Sequence, residues 1–294
     1  MAEYSLNGRT AVVTGANSGV GRSATGLLLA AGARVTLVCR DRGRGERALA
    51  ELQSDHPCAT ATLEIADLAA MGSVRTLAAR LAGRHDSIDI LVNNAGVWRN
   101  RLELTAAGFE RTFATNHLGH FLLTNRLLPR LSGGGHIVNV SSEAHRSGDL
   151  RRTDLDEIAR GLAWRGTFPA YADSKLANVL FTVEAARRWR EHDVTVNAVH
   201  PGVLATGLWN QNSGVLAAVL RFFKLFMRSP RVGGNAVFSA LERALRDGAT
   251  GRYFRVTGES APQPQAVDKA LAHELWERSL RWTASPAVCT GSGC

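Results

Sequence analysis

The stretch TAVVTGANSGVG, residues 10–21, joins an apolar run directly to a turn rich in glycine. A helix-like segment, GRSATGLLLAAG, begins at the last glycine, so the stretch predicts a strand, a tight turn and a helix in succession. Glycine lets such a turn close and lets the backbone approach a pyrophosphate, whose charge is favoured at a helix N-terminus. A glycine turn by itself is weak evidence, because any strand-to-helix junction can require one. The candidate pyrophosphate-binding residues are Gly15, Asn17, Ser18, Gly19, Val20 and Gly21.

Further apolar runs follow this first one, and longer segments of helical period separate them. Short runs rich in β-branched residues between helical segments indicate parallel strands joined by crossover helices. We therefore predict an α/β, single-domain Rossmann fold over residues 1–283, a doubly wound parallel sheet with helices on both faces. The six runs are TAVVT, RVTLVC, ATLEIAD, IDILVNN, HIVNVSS and VTVNAVH, and GRYF from Gly251 predicts an edge strand.

Three segments fall outside this alternation. Residues 143–169 form a polar insertion between a strand and the next helix, and residues 203–229 contain an apolar helix candidate at 214–227. Both emerge beyond the carboxyl ends of strands, where doubly wound sheets bind ligands, so we expect 203–229 to cap a substrate. The aromatic residues of that cap fit a plain core or an oligomer contact equally well. The small, polar residues 284–294 predict a disordered tail.

The composition argues against several classes of protein. Of the 294 residues, 45% are hydrophobic and 21% are charged, which is typical of a globular chain. The net charge of +9 comes from arginines spread along the sequence, so we expect no nucleic-acid partner. We expect no membrane span and no signal peptide. The four cysteines show no CxxC or metal-ligand spacing, which predicts reduced thiols and a cytoplasmic protein.

The second apolar run ends in VTLVCRD, and Cys39 stands where dinucleotide-binding folds commonly carry an acidic residue. A carboxylate there accepts hydrogen bonds from the adenosine ribose, whereas a nearby arginine suits a 2′-phosphate. Arg40 follows Cys39 and therefore favours NADP(H) over NAD(H), and we expect Arg22, beside the glycine turn, to add to the same positive field. Two observations leave NAD(H) open: Asp41 comes next, and arginine is so common here that Arg40 could simply be solvated.

Lysine occurs at only three positions, Lys175, Lys224 and Lys269, among 35 basic residues. Lys175 lies four residues after Tyr171 on a segment whose Ala and Leu content predicts a helix, so the two side chains share one face. A free phenol has a pKa of about 10, and a neighbouring ammonium lowers that pKa by stabilising phenolate. The pair is a candidate general acid and base, although Tyr-x-x-x-Lys on its own is better explained by an ordinary amphipathic helix.

These motifs resemble those of the short-chain dehydrogenase/reductases in their order and approximate spacing, over residues 7–254. The segments TNHLGHFLLT, VNVSSEAH and YADSKLANVLFT are similar to those of the retinol-dehydrogenase-like branch of that family. The matching residues are Thr14 to Gly21, Asp67-Leu68, Asn93 to Gly96, Asn116, Ser141-Ser142, Tyr171 with Lys175, and Pro201-Gly202.

The resemblance implies that Tyr171 exchanges a proton with the substrate oxygen, while Lys175 lowers the Tyr171 pKa and holds the nicotinamide ribose. It also implies that Ser142 hydrogen-bonds the substrate carbonyl and that Asn116 holds a water of the proton relay. A compact ammonium can approach both the phenol and the ribose, whereas a planar guanidinium has a different reach and donor geometry. The further cofactor contacts it implies are Asp67 and Leu68 at the adenine, Asn94, Ala95 and Gly96 on the adenosine side, and Pro201, Gly202, Val203 and Thr206 at the nicotinamide.

The resemblance as a whole implies an NADP(H)-dependent oxidoreductase that interconverts a carbonyl and an alcohol on a lipophilic small molecule, in a homodimer or homotetramer. No metal is expected, because His117, His120 and His145 show no ligand spacing. Two alternatives stay open: a catalytically silent dinucleotide-binding sensor or scaffold, and a non-redox isomerase that uses bound cofactor. The intact acid/base pair argues against the silent binder, which has no use for it.

Overall fold

An eight-stranded sheet organises the chain, which a computed structural model describes over residues 5–202 and 229–284. The strands are β1 Thr10–Thr14, β2 Arg34–Cys39, β3 Ala61–Ile65, β4 Ile90–Asn93, β5 His136–Val140, β6 Thr195–His200, β7 Tyr253–Arg255 and β8 Gly258–Glu259. They lie in the order β3-β2-β1-β4-β5-β6-β7-β8, and all neighbours are parallel except β7 and β8. This arrangement confirms the predicted doubly wound α/β fold.

Helices cover both faces of the sheet. They are α1 Gly19–Ala30, α2 Arg42–Asp55, α3 Met71–Arg84, α4 Arg111–Phe113, α5 Gly119–Leu131, α6 Leu155–Ala159, α7 Thr167–Arg188, α8 Pro230–Asp247 and α9 Lys269–Thr283. Successive residues of a strand point to opposite faces, so Val12 joins the core under α3, α5, α7 and α9, whereas Ala11 and Val13 join the core under α1, α2 and α8.

Each of the six predicted apolar runs contains one strand, because a parallel strand buried on both faces is a nearly continuous apolar run. The GRYF stretch forms β7, but β8 pairs with its outer side, so β7 is not an edge strand in the described ranges. The predicted insertion 143–169 holds a 3-10 turn (Glu143–Ser147), α6 and the first residues of α7. Helix α7 begins before Pro169, since proline is tolerated in the first turn of a helix.

The strand order reverses between β1 and β4, and ligands of doubly wound sheets bind outside the carboxyl ends of the strands at such a point. Most of the predicted cap, including Val203 and Thr206, lies outside the described residues, as do residues 285–294 of the predicted tail. In the described ranges, no helix is both long and apolar enough to cross a membrane.

Candidate active site

A cavity of about 620 Å³ opens at the carboxyl ends of the parallel strands, where the sheet reverses its order. Three described residues predicted for the site do not line it, namely Gly21, Arg22 and Asn116. The predicted residues that do line it are Gly15, Asn17, Ser18, Gly19, Val20, Arg40, Asp67, Leu68, Asn94, Ala95, Gly96, Ser142, Tyr171, Lys175, Pro201 and Gly202.

The glycine turn after β1 packs tightly against the end of β4. Gly15 has a φ of 66°, and a Cβ on it would lie 2.8 Å from Ala95 Cα, so both backbone conformation and space require glycine. The Thr14 hydroxyl oxygen accepts hydrogen bonds from the main-chain N–H groups of Asn94 and Ala95, at 2.9 and 3.0 Å. The Asn94 side chain donates to the Thr14 carbonyl at 2.7 Å. In this structure Asn94 and Ala95 therefore hold the turn in place as well as lining the cavity.

Two arginines line the adenosine end of the cavity, at the end of β2. Arg40 and Arg44 are both exposed, and Arg44 was not singled out from the sequence. The Asp41 carboxylate, which had left NAD(H) open, accepts a hydrogen bond from the Arg44 main-chain N–H at 2.8 Å and caps α2. Burial raises the pKa of the Cys39 thiol to about 11, so it is neutral near pH 7 and adds no negative charge.

Arg22 does not line that end of the cavity. Its Nη1 lies 2.6 Å from Glu51 Oε2, and Glu51 belongs to α2. The guanidinium is thus paired with a carboxylate between two helices, which argues against its predicted part in binding a phosphate.

The two adjacent serines after β5 have different environments. Ser141 is buried, and its hydroxyl donates to the Lys175 carbonyl at 2.8 Å. Ser142 is half-buried, and its Oγ accepts a hydrogen bond from the Ala144 main-chain N–H at 3.2 Å. Because the Ser142 hydroxyl hydrogen is not used in that bond, the hydroxyl can hydrogen-bond the side chain of Tyr171, which places Ser142 beside the predicted acid and base. This geometry favours Ser142 over Ser141, as the sequence motif does.

Tyr171 and Lys175 meet at the centre of the cavity on α7. Lys175 is buried, its Nζ donates to the Val140 carbonyl at 3.0 Å, and it lies 5.6 Å from the centroid of the Tyr171 ring. The indole of Trp98 stacks on Tyr171 with a centroid separation of 5.0 Å and an interplanar angle of 12°. The Trp98 indole and the Lys175 ammonium both lie against the Tyr171 ring, which restricts the orientation of the phenol.

Burial dominates the titration of this pair. It raises the pKa of Tyr171 to about 12, and a hydrogen bond with Ser142 acts in the opposite direction without cancelling the increase. Burial also lowers the pKa of Lys175 to about 8. The predicted lowering of the Tyr171 pKa is therefore wrong for this arrangement, because desolvation of the phenolate outweighs the Ser142 hydrogen bond.

Asn116 lies in a π-helical turn, Ala114–Leu118, that joins α4 to α5. Its Oδ1 accepts from the Val97 N–H at 2.8 Å, and its Nδ2 donates to the Val97 carbonyl at 3.0 Å and to Ser174 Oγ at 2.9 Å. Its main-chain carbonyl also lies 2.9 Å from His120 Nδ1. Both amide hydrogens are used by protein partners, so a water of the predicted relay would have to donate to an Asn116 oxygen. The same side chain holds the Val97 backbone beside the cavity.

Sequence reasoning missed an aromatic wall next to Tyr171. Trp98 and Phe168 both line the cavity, with their ring centroids 5.8 Å apart. Trp98 follows the NNAGV motif directly, and Phe168 lies three residues before Tyr171, so their positions in the sequence were the available signal. His200 also lines the cavity, and its Nδ1 accepts from the Glu143 main-chain N–H at 3.1 Å.

Within residues 5–202 and 229–284, no group of three or more His, Cys, Asp or Glu side chains could hold a metal ion. His117 and His120 instead pair with hydroxyl groups of Ser279 and Thr14, each at 2.9 Å.

A glycine turn at the reversal point of a doubly wound sheet, with serine, tyrosine and lysine on the same cavity, defines a nicotinamide dinucleotide-dependent oxidoreductase. The sequence matches the short chain dehydrogenase family over residues 9–152 and 159–214. The chain belongs to this family.

Curated relatives and solved structures agree with this assignment. Retinol dehydrogenase 13 of Homo sapiens is 37% identical over 289 residues, which cover 95% of this chain and 86% of the relative. Dehydrogenase/reductase SDR family member 13 of Bos taurus is 41% identical over 282 residues, covering 94% and 74%. An uncharacterized protein from Mycobacterium paratuberculosis has a TM-score of 0.74 and 32% identity, covering 95% of both chains. The chain is therefore similar to retinol dehydrogenases and is an oxidoreductase that interconverts carbonyl and alcohol groups.

At least two of the similar structures contain NADP. One is assigned as an NAD(P)-dependent gluconate 5-dehydrogenase from Beutenbergia cavernae, with NADP bound at low occupancy. Its TM-score is 0.66 and its identity 28%, covering 86% of this chain and 96% of that one.

Proposed function

We propose that this protein is an NADP(H)-dependent oxidoreductase that reduces a carbonyl, or oxidises the corresponding alcohol, on a lipophilic small molecule. The observation that carries the proposal is the convergence of Ser142, Tyr171 and Lys175 on the cavity that also contains the glycine turn. A protein that only bound the nucleotide would need the turn but not the polar groups at the other end.

The residues that line the cavity suit the parts of a dinucleotide. Gly96 lies beside the Lys175 ammonium, where the nicotinamide ribose is expected, since a Cβ built on Gly96 would be 3.5 Å from Lys175 Nζ. The pyrophosphate would lie over the glycine turn at the N-terminus of α1, where main-chain N–H groups and the helix dipole favour negative charge. When bound, the nicotinamide supplies or accepts the hydride at the carbonyl carbon.

The residues of the protein transfer the proton and orient the substrate. The Ser142 hydroxyl donates to the carbonyl oxygen, which can only accept, while its own oxygen accepts from the Ala144 N–H. Tyr171 transfers its proton to the same oxygen, and a phenol whose pKa is raised to about 12 is fully protonated at neutral pH and ready to act as the acid. Lys175, held by the Val140 carbonyl, has two further hydrogens for the ribose hydroxyls.

The preference for NADP(H) rests on charge at the end of β2. Arg40, Arg44 and Asp41 line that end, Cys39 is neutral, and the Asp41 carboxylate caps α2, so two cations outnumber one carboxylate there. An additional phosphate on the adenosine ribose finds two cations there, and guanidinium groups offer it paired donors.

A lipophilic substrate is supported by the aromatic wall and by the relatives. Trp98 and Phe168 place two large apolar surfaces beside Tyr171. Several relatives are named retinol dehydrogenases, and retinol is a lipophilic alcohol.

The deciding experiment incubates the purified protein with NADPH and a panel of aldehydes and ketones, and follows the loss of NADPH absorbance. We expect turnover of at least one lipophilic carbonyl, with slower turnover when NADH replaces NADPH. Tight NADPH binding with no turnover of any compound in either direction would favour the sensor or scaffold. Substrate conversion without net NADPH consumption would favour the isomerase.

Assembly and location belong to the same proposal. Light scattering of the purified protein tests the proposed homodimer or homotetramer, and a monomer would contradict it. Fractionation of cells that express the full chain tests the proposed cytoplasmic location, and recovery with the membranes would contradict it.

A further inference from the structure

His145 is a fully buried histidine in the 3-10 turn that follows Ser142, and the proposed function leaves it without a role. Its ring contacts two main-chain groups, one three residues earlier and one 118 residues later in the sequence. Nδ1 lies 2.7 Å from the Ser142 carbonyl oxygen, and Nε2 lies 3.2 Å from the main-chain nitrogen of Gln263. The ring also packs on Tyr253, with centroids 4.8 Å apart.

These two contacts define the tautomer of His145. A carbonyl oxygen can only accept a hydrogen bond, so Nδ1 must carry the hydrogen and donate it to Ser142. A main-chain N–H can only donate, so Nε2 must be the unprotonated acceptor for Gln263. A second proton would place N–H against N–H at Gln263, and the ring is therefore neutral. The direction of its pKa shift, lowered by burial, agrees with this assignment.

Ser142 is consequently held at both of its oxygen atoms. Its carbonyl accepts from the main-chain N–H of His145 at 3.0 Å and from the Nδ1–H of the same residue. Its hydroxyl oxygen accepts from the Ala144 N–H at 3.2 Å. The main-chain bonds come with the turn itself, so the Nδ1–H of His145 is the added side-chain restraint on the Ser142 backbone.

The segment around Gln263 is clamped onto the same turn. The Gln263 side chain donates to the carbonyls of His145 and Gly148, at 2.6 and 3.2 Å, and Arg146 donates to the Ala261 carbonyl at 2.7 Å. This segment follows β8 at the far edge of the sheet, and through His145 it reaches a residue of the cavity.

We propose that neutral His145 is a positioning residue for Ser142, and that the main-chain N–H of Gln263 fixes the tautomer in which it acts. This inference rests on the proposed function, because Ser142 must orient a substrate carbonyl for its position to affect turnover.

Two substitutions at His145 separate its donor from its acceptor. His145→Asn keeps an N–H near the position of Nδ1 and loses the acceptor for Gln263. His145→Gln keeps an oxygen near the position of Nε2 and loses the donor to Ser142. His145→Phe keeps a ring of similar size and loses both groups. For each variant we would measure kcat and KM for one confirmed carbonyl, the NADPH dissociation constant and the melting temperature.

We expect His145→Gln and His145→Phe to lose up to about tenfold in kcat, the value of one net hydrogen bond, because the Ser142 carbonyl keeps only the main-chain N–H of residue 145. His145→Asn should stay within about threefold of wild type, because it retains a donor for the carbonyl. NADPH affinity should be unchanged in all three. If kcat follows the melting temperature across the variants, or if Gln is as active as Asn, the residue has only a packing role. Absence of turnover in the wild-type protein overturns the proposed function, and this inference with it.

A second pair of variants leaves the buried ring untouched. Gln263 has a φ of −66°, which proline can adopt, so Gln263→Pro removes the N–H while Gln263→Ala retains it. Both variants lose the side-chain contacts of Gln263. We expect Gln263→Pro to have a kcat about three- to tenfold below that of Gln263→Ala, the value of one net hydrogen bond. Equal kcat values in the two variants would overturn the part assigned to the Gln263 N–H.

Discussion

The two ends of the cavity are built on different physical principles. At the adenosine end, Arg40 and Arg44 are exposed and present charge on side chains that solvent surrounds. At the catalytic end, Lys175 is 3% exposed and Asn116 0% exposed, and their polar atoms are bound to main-chain groups. In the proposed function, the first end would select the cofactor by charge, and the second would place groups for chemistry by packing.

This difference predicts how each end responds to change. Exposed charges are screened by salt and are separate from the core, so single substitutions there alter affinity without altering the fold. Buried polar groups are costly when they lose a partner, so a substitution at the catalytic end affects stability unless it preserves every contact. Substitutions that keep the contacts and remove one function are therefore the sharpest tests.

The largest expected effect is that of Tyr171→Phe. Phenylalanine keeps the ring that stacks on Trp98 at 5.0 Å and removes only the transferable proton. We expect kcat for a confirmed carbonyl to fall by about 10² to 10⁴, the usual contribution of a general acid. The NADPH dissociation constant and the melting temperature, measured in parallel, should remain close to wild type. Near-normal turnover would contradict the assignment of Tyr171 as the acid.

The next effect, in affinity rather than rate, is that of Arg40→Ala and of Arg44→Ala. Each removes one charge-assisted contact to the ribose phosphate, so we expect NADPH binding to weaken by about ten- to hundredfold. NADH binding and kcat at saturating NADPH should change little. Titration of both cofactors into wild type and variants is the measurement. A wild-type preference for NADH, or an undiminished NADPH preference in both variants, would show that the phosphate is bound elsewhere.

Lowering the pH should reduce the free energy of unfolding through the buried histidines. Burial lowers the pKa of His117 to about 3 and those of His120 and His200 to about 4, from an ordinary 6.5. Between those values the unfolded chain binds protons that the folded chain does not, so stability is full above pH 6.5 and falls as the pH decreases toward 4.

Each such histidine contributes about 1.4 kcal/mol per pH unit to this slope. Urea unfolding across that pH range measures the slope, and His120→Gln should make it shallower by about one histidine's share. A slope that His120→Gln leaves unchanged would mean that His120 takes up its proton in the folded state.

The smallest effect is expected for Arg22→Ala. The ion pair of Arg22 with Glu51 joins side chains that are 39% and 53% exposed, and such surface pairs contribute about 0 to 1 kcal/mol. We expect NADPH affinity and unfolding free energy to stay near wild type. A loss of NADPH affinity comparable to that of Arg40→Ala would restore the predicted role of Arg22 at the phosphate.

Much of the fold was predictable because its signals are local. Each strand of the central sheet is a short apolar run, and the glycine turn after β1 is formed by residues that are adjacent in the sequence. The predicted place of Tyr171 beside Lys175 followed from helical spacing alone. Helix α7 begins earlier than predicted, at Thr167 inside the predicted insertion 143–169, because a helix can accept proline in its first turn.

The site was less predictable wherever its properties depend on packing between elements. Arg22 and Arg44 have the same charge and both lie in the first turns of helices, yet one pairs with Glu51 and the other lines the cavity. Trp98 and Phe168 come from segments 70 residues apart and touch only because β4 ends and α7 begins at the same edge of the sheet.

The sequence by itself determined the succession of strands and helices along the chain, the glycine turn and the residue types of the acid/base pair, since these follow from periodicity and neighbouring residues. The tertiary structure alone decided the electrostatics. It made the Tyr171 pKa rise where the adjacent lysine predicted a fall, and it joined the Ser142 carbonyl to Gln263 through His145. The physical reason is that desolvation and buried hydrogen bonds depend on which atoms surround a group in space, and those atoms come from distant parts of the chain.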